Sequence, residues 1–151
     1  MGGAGGATVI PLPTTGQQVL FVSDYQLPAC VVGAAFFDLK AGPLARASAA
    51  CTSGQPPRID QPLVEVMAEL GIDLSAVDAE TLDASLLRRA AHVVVLGSTA
   101  VLTPVAGMRA VVERWPLDEP LQRGIEGMAR LRLIRDGIER NINTLVAHLN
   151  V

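Results

Sequence analysis

The sequence predicts an α/β protein built on a mainly parallel sheet of about four strands. Two observations carry this reading. The short runs VLFV at 19–22 and HVVVL at 92–96 are β-prone and apolar without polar alternation, as strands buried on both faces of a parallel sheet are. Around them lie stretches whose apolar residues recur at helical spacing, so strands and helices alternate along the chain.

Each element follows from local chemistry. Residues 1–17 (MGGAGGATVIPLPTTGQ) are rich in Gly, Pro and Thr and read as a flexible tail outside the fold. VLFV is the first strand, and SDYQLPA at 23–29 leads from it into a turn. A helix follows to Lys40, with Pro28 suited to its first turn and Gly42-Pro43 to stop it. ARASAA at 45–50 reads as a second, small-residue strand, and TSGQPPR at 52–58 as a loop. Asp60 is placed to cap a helix over 61–70, with Leu63, Val66, Met67 and Leu70 on one face and Gly71 at its end. Residues 80–91 read as helix through Leu82, Leu86 and Ala90. HVVVL is the third strand and RAVVE at 109–113 the fourth, with WPLDEP at 115–120 a loop. A long amphipathic helix is expected from about Arg123 to Leu149, its stripe formed by Met128, Leu131, Ile134, Ile138, Ile142, Leu145 and Leu149. In such sheets ligands sit beyond the carboxyl ends of the strands, where the strand order reverses. That directs attention to residues 23–29.

Composition narrows the function. The 151 residues are 50% hydrophobic and only 3% aromatic, so the core is aliphatic and large enough for one domain. The net charge of −3 gives no electrostatic footprint for nucleic acid or an anionic membrane. Two cysteines, Cys30 and Cys51, cannot make a disulfide framework or a four-cysteine zinc site. His92 and His148 lack metal-ligand spacing, and no cofactor is expected. No apolar run reaches membrane-span length, and no Lys or Arg precedes Lys40 to make a signal peptide's charged region. A cytoplasmic protein is the expectation.

From Val19 onward the chain resembles the low-molecular-weight protein tyrosine phosphatase superfamily, and within it the thioredoxin- or mycothiol-linked arsenate reductases of actinobacterial type. The resemblance rests on VLFV at 19–22, PLVEVMAELGIDLS at 62–75, VVVLG at 93–97, WPLDEP at 115–120 and RLIRDGIERNINTLVAHL at 132–149, taken in order. It implies a three-layer α/β/α domain over residues 18–151 with a four-stranded parallel sheet. It also implies that the chemistry lies in the loop after the first strand. There the family carries a Cys followed, after five intervening residues, by an Arg. The loop's N–H groups and the next helix N-terminus cradle an oxyanion, the thiolate attacks it, and the Arg clamps it.

In this chain both principal side chains differ. Ser23 stands at the family's nucleophile position and Ala29 at its Arg position, and Cys30 follows. A serine hydroxyl is not ionised near neutral pH, whereas a thiol of pKa about 8.5 can be tuned into range. Asp24 adds a negative charge where an anion would sit, a repulsion of roughly 1–4 kcal/mol at about 4 Å. Pro28 removes one N–H from the cradle. Glu119, with Asp118 before it, matches the family's general-acid position. The segment GSTAVLTP at 97–104 contains none of the relay cysteines that some reductases place there.

The resemblance therefore implies a catalytically inactive relative that binds a protein partner or a small molecule at the altered loop. Candidate ligand-binding residues are Ser23, Asp24, Tyr25, Gln26, Leu27, Cys30, Trp115, Asp118 and Glu119. The alternative is an enzyme with repurposed chemistry from Ser23, Asp24, Cys30 and Glu119, or with residual activity of the family's kind. A third reading is a homodimer sealed at Leu27 and Pro28. The first two strands are neighbours in the family's fold, which implies Cys30 and Cys51 at one edge of the sheet, as a redox pair, with Cys30 as a displaced nucleophile at a helix N-terminus, or as two buried structural thiols. Arg58 and Arg123, in expected loops, are candidates to replace the missing Arg. His92 and the Arg88-Arg89 pair read as structural.

Overall fold

The computed structural model describes residues 17–24, 28–52, 57–77 and 79–151. Its sheet is formed by β1 (Gln17–Ser23), β2 (Ala45–Cys51), β3 (Ala79–Thr81), β4 (His92–Leu96) and β5 (Val111–Trp115). The helices are α1 (Ala29–Lys40), α2 (Gln61–Ala68), α3 (Ala84–Arg89) and α4 (Gly127–Leu149), with short 3-10 turns at Leu74–Ala76 and Pro120–Arg123.

All strand pairs are parallel, in the order β3-β2-β1-β4-β5. The sheet thus has five strands where four were expected. The fifth is β3, which lies partly in the stretch read as helix over 80–91. Ala79–Thr81 pairs with Ala49–Cys51 at the sheet edge, and that pairing overrides helical spacing. The helix starts only at Ala84, where the Asp83 carboxylate accepts the Leu86 N–H at 2.8 Å.

β1 and β4 are buried on both faces, as their unbroken apolar runs require. Val19, Phe21, Val94 and Leu96 face a core shared with α1, α2 and α4. Leu20, Val22, Val93 and Val95 face a smaller cluster covered by α3 and by residues 97–110, which cross that face without helix. The alanine-rich β2 lies beneath α1, where small side chains admit a close helix.

Other boundaries move for identifiable reasons. Gln17 already pairs with Ala45, so the expected tail ends one residue earlier; residues 1–16 lie outside the described residues. Pro28 is the residue before the first helical residue rather than part of the first turn. Asp60 stands at the α2 N-cap, but its carboxylate accepts no helix N–H. β5 is displaced two residues towards the C-terminus, which carries Trp115 into the core against Phe21 (ring centroids 6.1 Å apart). The last helix begins at Gly127, because Gly124 takes a φ of 78° and closes a separate turn at Pro120–Arg123. From there Ile134, Ile138, Ile142 and Leu145 are buried at the expected spacing.

Candidate functional site

The strand order reverses at β1, with β2 leading to one edge and β4 to the other. The carboxyl ends of β1 and β4 therefore flank the crevice where ligands gather in such sheets. β1 ends at Ser23 and β4 at Leu96, followed by Gly97.

Ser23 is buried, and its role is structural at close range. Its backbone C=O accepts the Thr52 N–H at 3.0 Å, and its register partner on β2 is Cys51. Its side-chain Oγ accepts the Cys30 N–H at 3.0 Å and lies 3.3 Å from the Asp24 carbonyl, to which the hydroxyl donates. Pro28, at the N-cap of α1, has no side-chain acceptor to offer. Ser23 supplies it from seven residues upstream. Ala29 and Cys30 are buried directly behind this contact.

Asp24 faces the loop after β4: the Thr99 hydroxyl donates to its Oδ2 at 3.4 Å. Arg114 of β5 fixes that loop by donating to the Gly97 and Ala100 carbonyls at 2.6 and 2.9 Å. Asp24, Ser98, Thr99, Asp118, Glu119 and Arg130 line a cavity of about 480 Å³. Of the expected site residues, the fold thus brings Asp24, Asp118 and Glu119 to one cavity, while Ser23 and Cys30 are buried behind it. Tyr25, Gln26 and Leu27 lie outside the described residues. Trp115 turns into the core rather than into this cavity.

The carboxylates of the 118–119 loop are engaged. Arg130 binds Glu119 through two parallel hydrogen bonds of 2.8 and 2.9 Å, and the Leu121 N–H adds a third at 3.1 Å. Arg130 above all holds the Glu119 carboxyl down to about 2. Arg123 binds Asp118 the same way, at 2.7 and 2.9 Å, and lowers its pKa. Arg123 is therefore committed to Asp118. Arg58 is exposed beside Asp60 at 3.5 Å, on a second cavity of about 300 Å³ between Pro28, α2 and the start of α4. Arg130 borders both cavities and was missed from the sequence. Its only local mark is a place in the first turn of an amphipathic helix, and its partner is 11 residues upstream.

Cys30 and Cys51 are both buried and free. Their ionisations are linked: the Cys51 side chain and burial push the Cys30 thiol up, whereas the Cys30 side chain lowers Cys51, although burial and the Asp24 charge oppose this. His92 is buried at 3.5 Å from the Glu113 carboxylate at the far end of β4. Among the described residues no group of His, Cys, Asp and Glu is arranged to hold a metal ion, and no helix is long and apolar enough to cross a membrane.

A scan of protein-family models finds no match. Solved structures do match. A thioredoxin-dependent arsenate reductase of Corynebacterium glutamicum superposes with a TM-score of 0.69 at 20% identity, over 89% of this chain and 62% of that one. An arsenate reductase of Archaeoglobus fulgidus gives 0.63 at 21% identity, over 85% and 98%. A protein tyrosine phosphatase gives 0.68 at 14% identity, over 88% and 95%. The chain has the fold of the arsenate reductases and low-molecular-weight tyrosine phosphatases. In this arsenate reductase-like fold, the crevice beyond β1 is bounded by Asp24 on one side and by Asp118 and Glu119 on the other, and Ser23 is buried at the end of the strand. The present chain spans less than two thirds of the C. glutamicum reductase, and almost all of the A. fulgidus one.

Proposed function

We propose that this protein is a catalytically inactive relative of the arsenate reductases and low-molecular-weight phosphatases, and that it acts by binding a protein partner or a small molecule at the altered loop after β1. The observation that carries this reading is the use made of Ser23. Its Oγ accepts the Cys30 N–H at 3.0 Å, so the group at the nucleophile position caps a helix instead of meeting a substrate. The hydroxyl's geometry serves the backbone: it accepts the Cys30 N–H and donates to the Asp24 carbonyl, and neither is a general base.

The charge of the crevice supports the same reading. Asp24, Asp118 and Glu119 line it, and Arg130, the one guanidinium among the described residues of its lining, is spent on Glu119. An arsenate or phosphate dianion would meet carboxylates where it needs N–H donors and a free Arg. Glu119, ionised down to about pH 2, carries no proton to give a leaving group. A ligand that is neutral or cationic suits these walls better than an oxyanion.

The test is turnover of p-nitrophenyl phosphate, and of arsenate with a thiol reductant, by the full chain. The expected result is a rate indistinguishable from buffer, since loss of a nucleophile that acts within a unit lowers rates by roughly 10⁴–10⁶-fold. Clear turnover that disappears in Ser23→Ala would overturn the proposal.

A further inference from the structure

Two thiols next to this crevice are left unexplained by a binding role. Cys30 opens α1 and Cys51 closes β2, 21 positions apart in the chain. The fold brings them together through Ser23. Cys51 is paired in register with Ser23 on the neighbouring strand, and the Ser23 hydroxyl accepts the Cys30 N–H at 3.0 Å. Both side chains enter the same core cluster beneath α1, where the Cys30 side chain favours ionisation of the Cys51 thiol. They are the only two cysteines of the chain, so neither has another sulfur to meet within the molecule.

We propose that Cys30 and Cys51 are a reversible redox modification site, closing to an intramolecular disulfide under a hydroperoxide. The Cys51 sulfur, whose ionised form is stabilised by the Cys30 S–H, attacks one peroxide oxygen. The O–O bond breaks, Cys51 becomes a sulfenic acid, and the other oxygen leaves as water after taking a proton. The Cys30 sulfur then attacks the Cys51 sulfur. The S–O bond breaks, a second water leaves with the Cys30 proton, and the S–S bond remains. Two thiols and one hydrogen peroxide give one disulfide and two waters; the thiols lose two electrons and the peroxide gains them. An added dithiol reverses the step.

The cross-link ties the first turn of α1 to the end of β2, the two elements on either side of Ser23 and Asp24. The oxidation state of the pair thereby fixes or frees the flanks of Asp24, which borders the crevice. The inference stands on the placement of both thiols about Ser23 in one core cluster and is independent of the binding role proposed above.

The experiment uses the full chain, reduced, freed of reductant, treated with hydrogen peroxide and then labelled with N-ethylmaleimide in denaturant. The expected product is a monomer two hydrogens lighter than the reduced chain. It takes up no label, yields a cross-linked peptide containing Cys30 and Cys51, and regains both labels after dithiothreitol. Its urea unfolding midpoint lies above that of the reduced chain, because the cross-link closes a loop in the unfolded ensemble. In Cys30→Ser, the sulfenic acid on Cys51 persists and is trapped by dimedone. Two retained labels after peroxide, separate sulfinic acids on the two cysteines, a disulfide-linked dimer, or a lowered midpoint would each overturn the proposal. The wild-type peptide map decides the matter even where a variant folds poorly.

Discussion

Ser23 is where residue chemistry and fold meet. Its Oγ satisfies a buried N–H at the start of α1 that Pro28 cannot serve. Ser23→Ala leaves the Cys30 N–H without an acceptor, and a buried unsatisfied donor costs about 1–3 kcal/mol. Urea denaturation is expected to show that loss, with the slope of the transition unchanged. Glu119 makes a different prediction. Its carboxyl is held near 2 in the folded chain against about 4.3 in an unfolded one. A depressed folded-state pKa contributes stability that is present above the unfolded value and is lost as pH falls through the folded one. Acid titration of stability should therefore show a decline between about pH 5 and pH 2, to which Glu69, also held near 2 by Arg132 and Arg135, contributes. Glu119→Gln is expected to flatten that decline. At neutral pH it should cost about 1 kcal/mol, the scale of a solvent-screened pair. A decline of unchanged steepness in the variant would show that the Glu119–Arg130 pair does not couple to folding.

At the scale of elements, the approach of α1 to the sheet sets what its middle can hold. A Cβ at Gly33 would lie 3.0 Å from the Phe21 ring, which is buried and packed against Phe37 and Trp115. Gly33→Ala gains about 1 kcal/mol of helix propensity. It also overpacks a ring with no room to move, at about 1–3 kcal/mol. The expected net effect is destabilisation, read as a lower thermal midpoint; a raised midpoint would mean that the ring yields. The elements also differ in how readable they are. VLFV and HVVVL announce β1 and β4 because a strand buried on both faces needs an unbroken apolar run. β3 carries no such mark: Ala-Glu-Thr is neither apolar nor alternating, and it is a strand only because β2 offers it an edge. The end of α2 shows the same limit. Leu70 fits the helical stripe, yet the helix stops at Ala68 and leaves Leu70 exposed.

The whole molecule is organised around its two central strands. β1 and β4 are paired on both sides and covered on both faces, whereas β3 and α3, of three and six residues, border the thinner layer. Native-state hydrogen exchange is expected to be slowest at amides 19–22 and 93–95 and fast in α3 and β3. Uniform protection across the sheet would contradict this gradient. By itself the sequence determined the parallel α/β class and the boundaries of β1, α1, β2 and β4 to within a residue or two, with Ser23 read into the turn where the structure keeps it in β1. These depend on local apolar runs and on turn chemistry. Only the tertiary structure decided that Ser23 caps α1, that Arg130 reaches Glu119, that Trp115 turns inward, and that the two cysteines share one core cluster. Those residues lie 7 to 94 positions from their partners, and no local pattern records which side chain a neighbouring element will present. Strand order and register decide it, because they alone bring the ends of β1, β2 and β4 to one edge of the sheet.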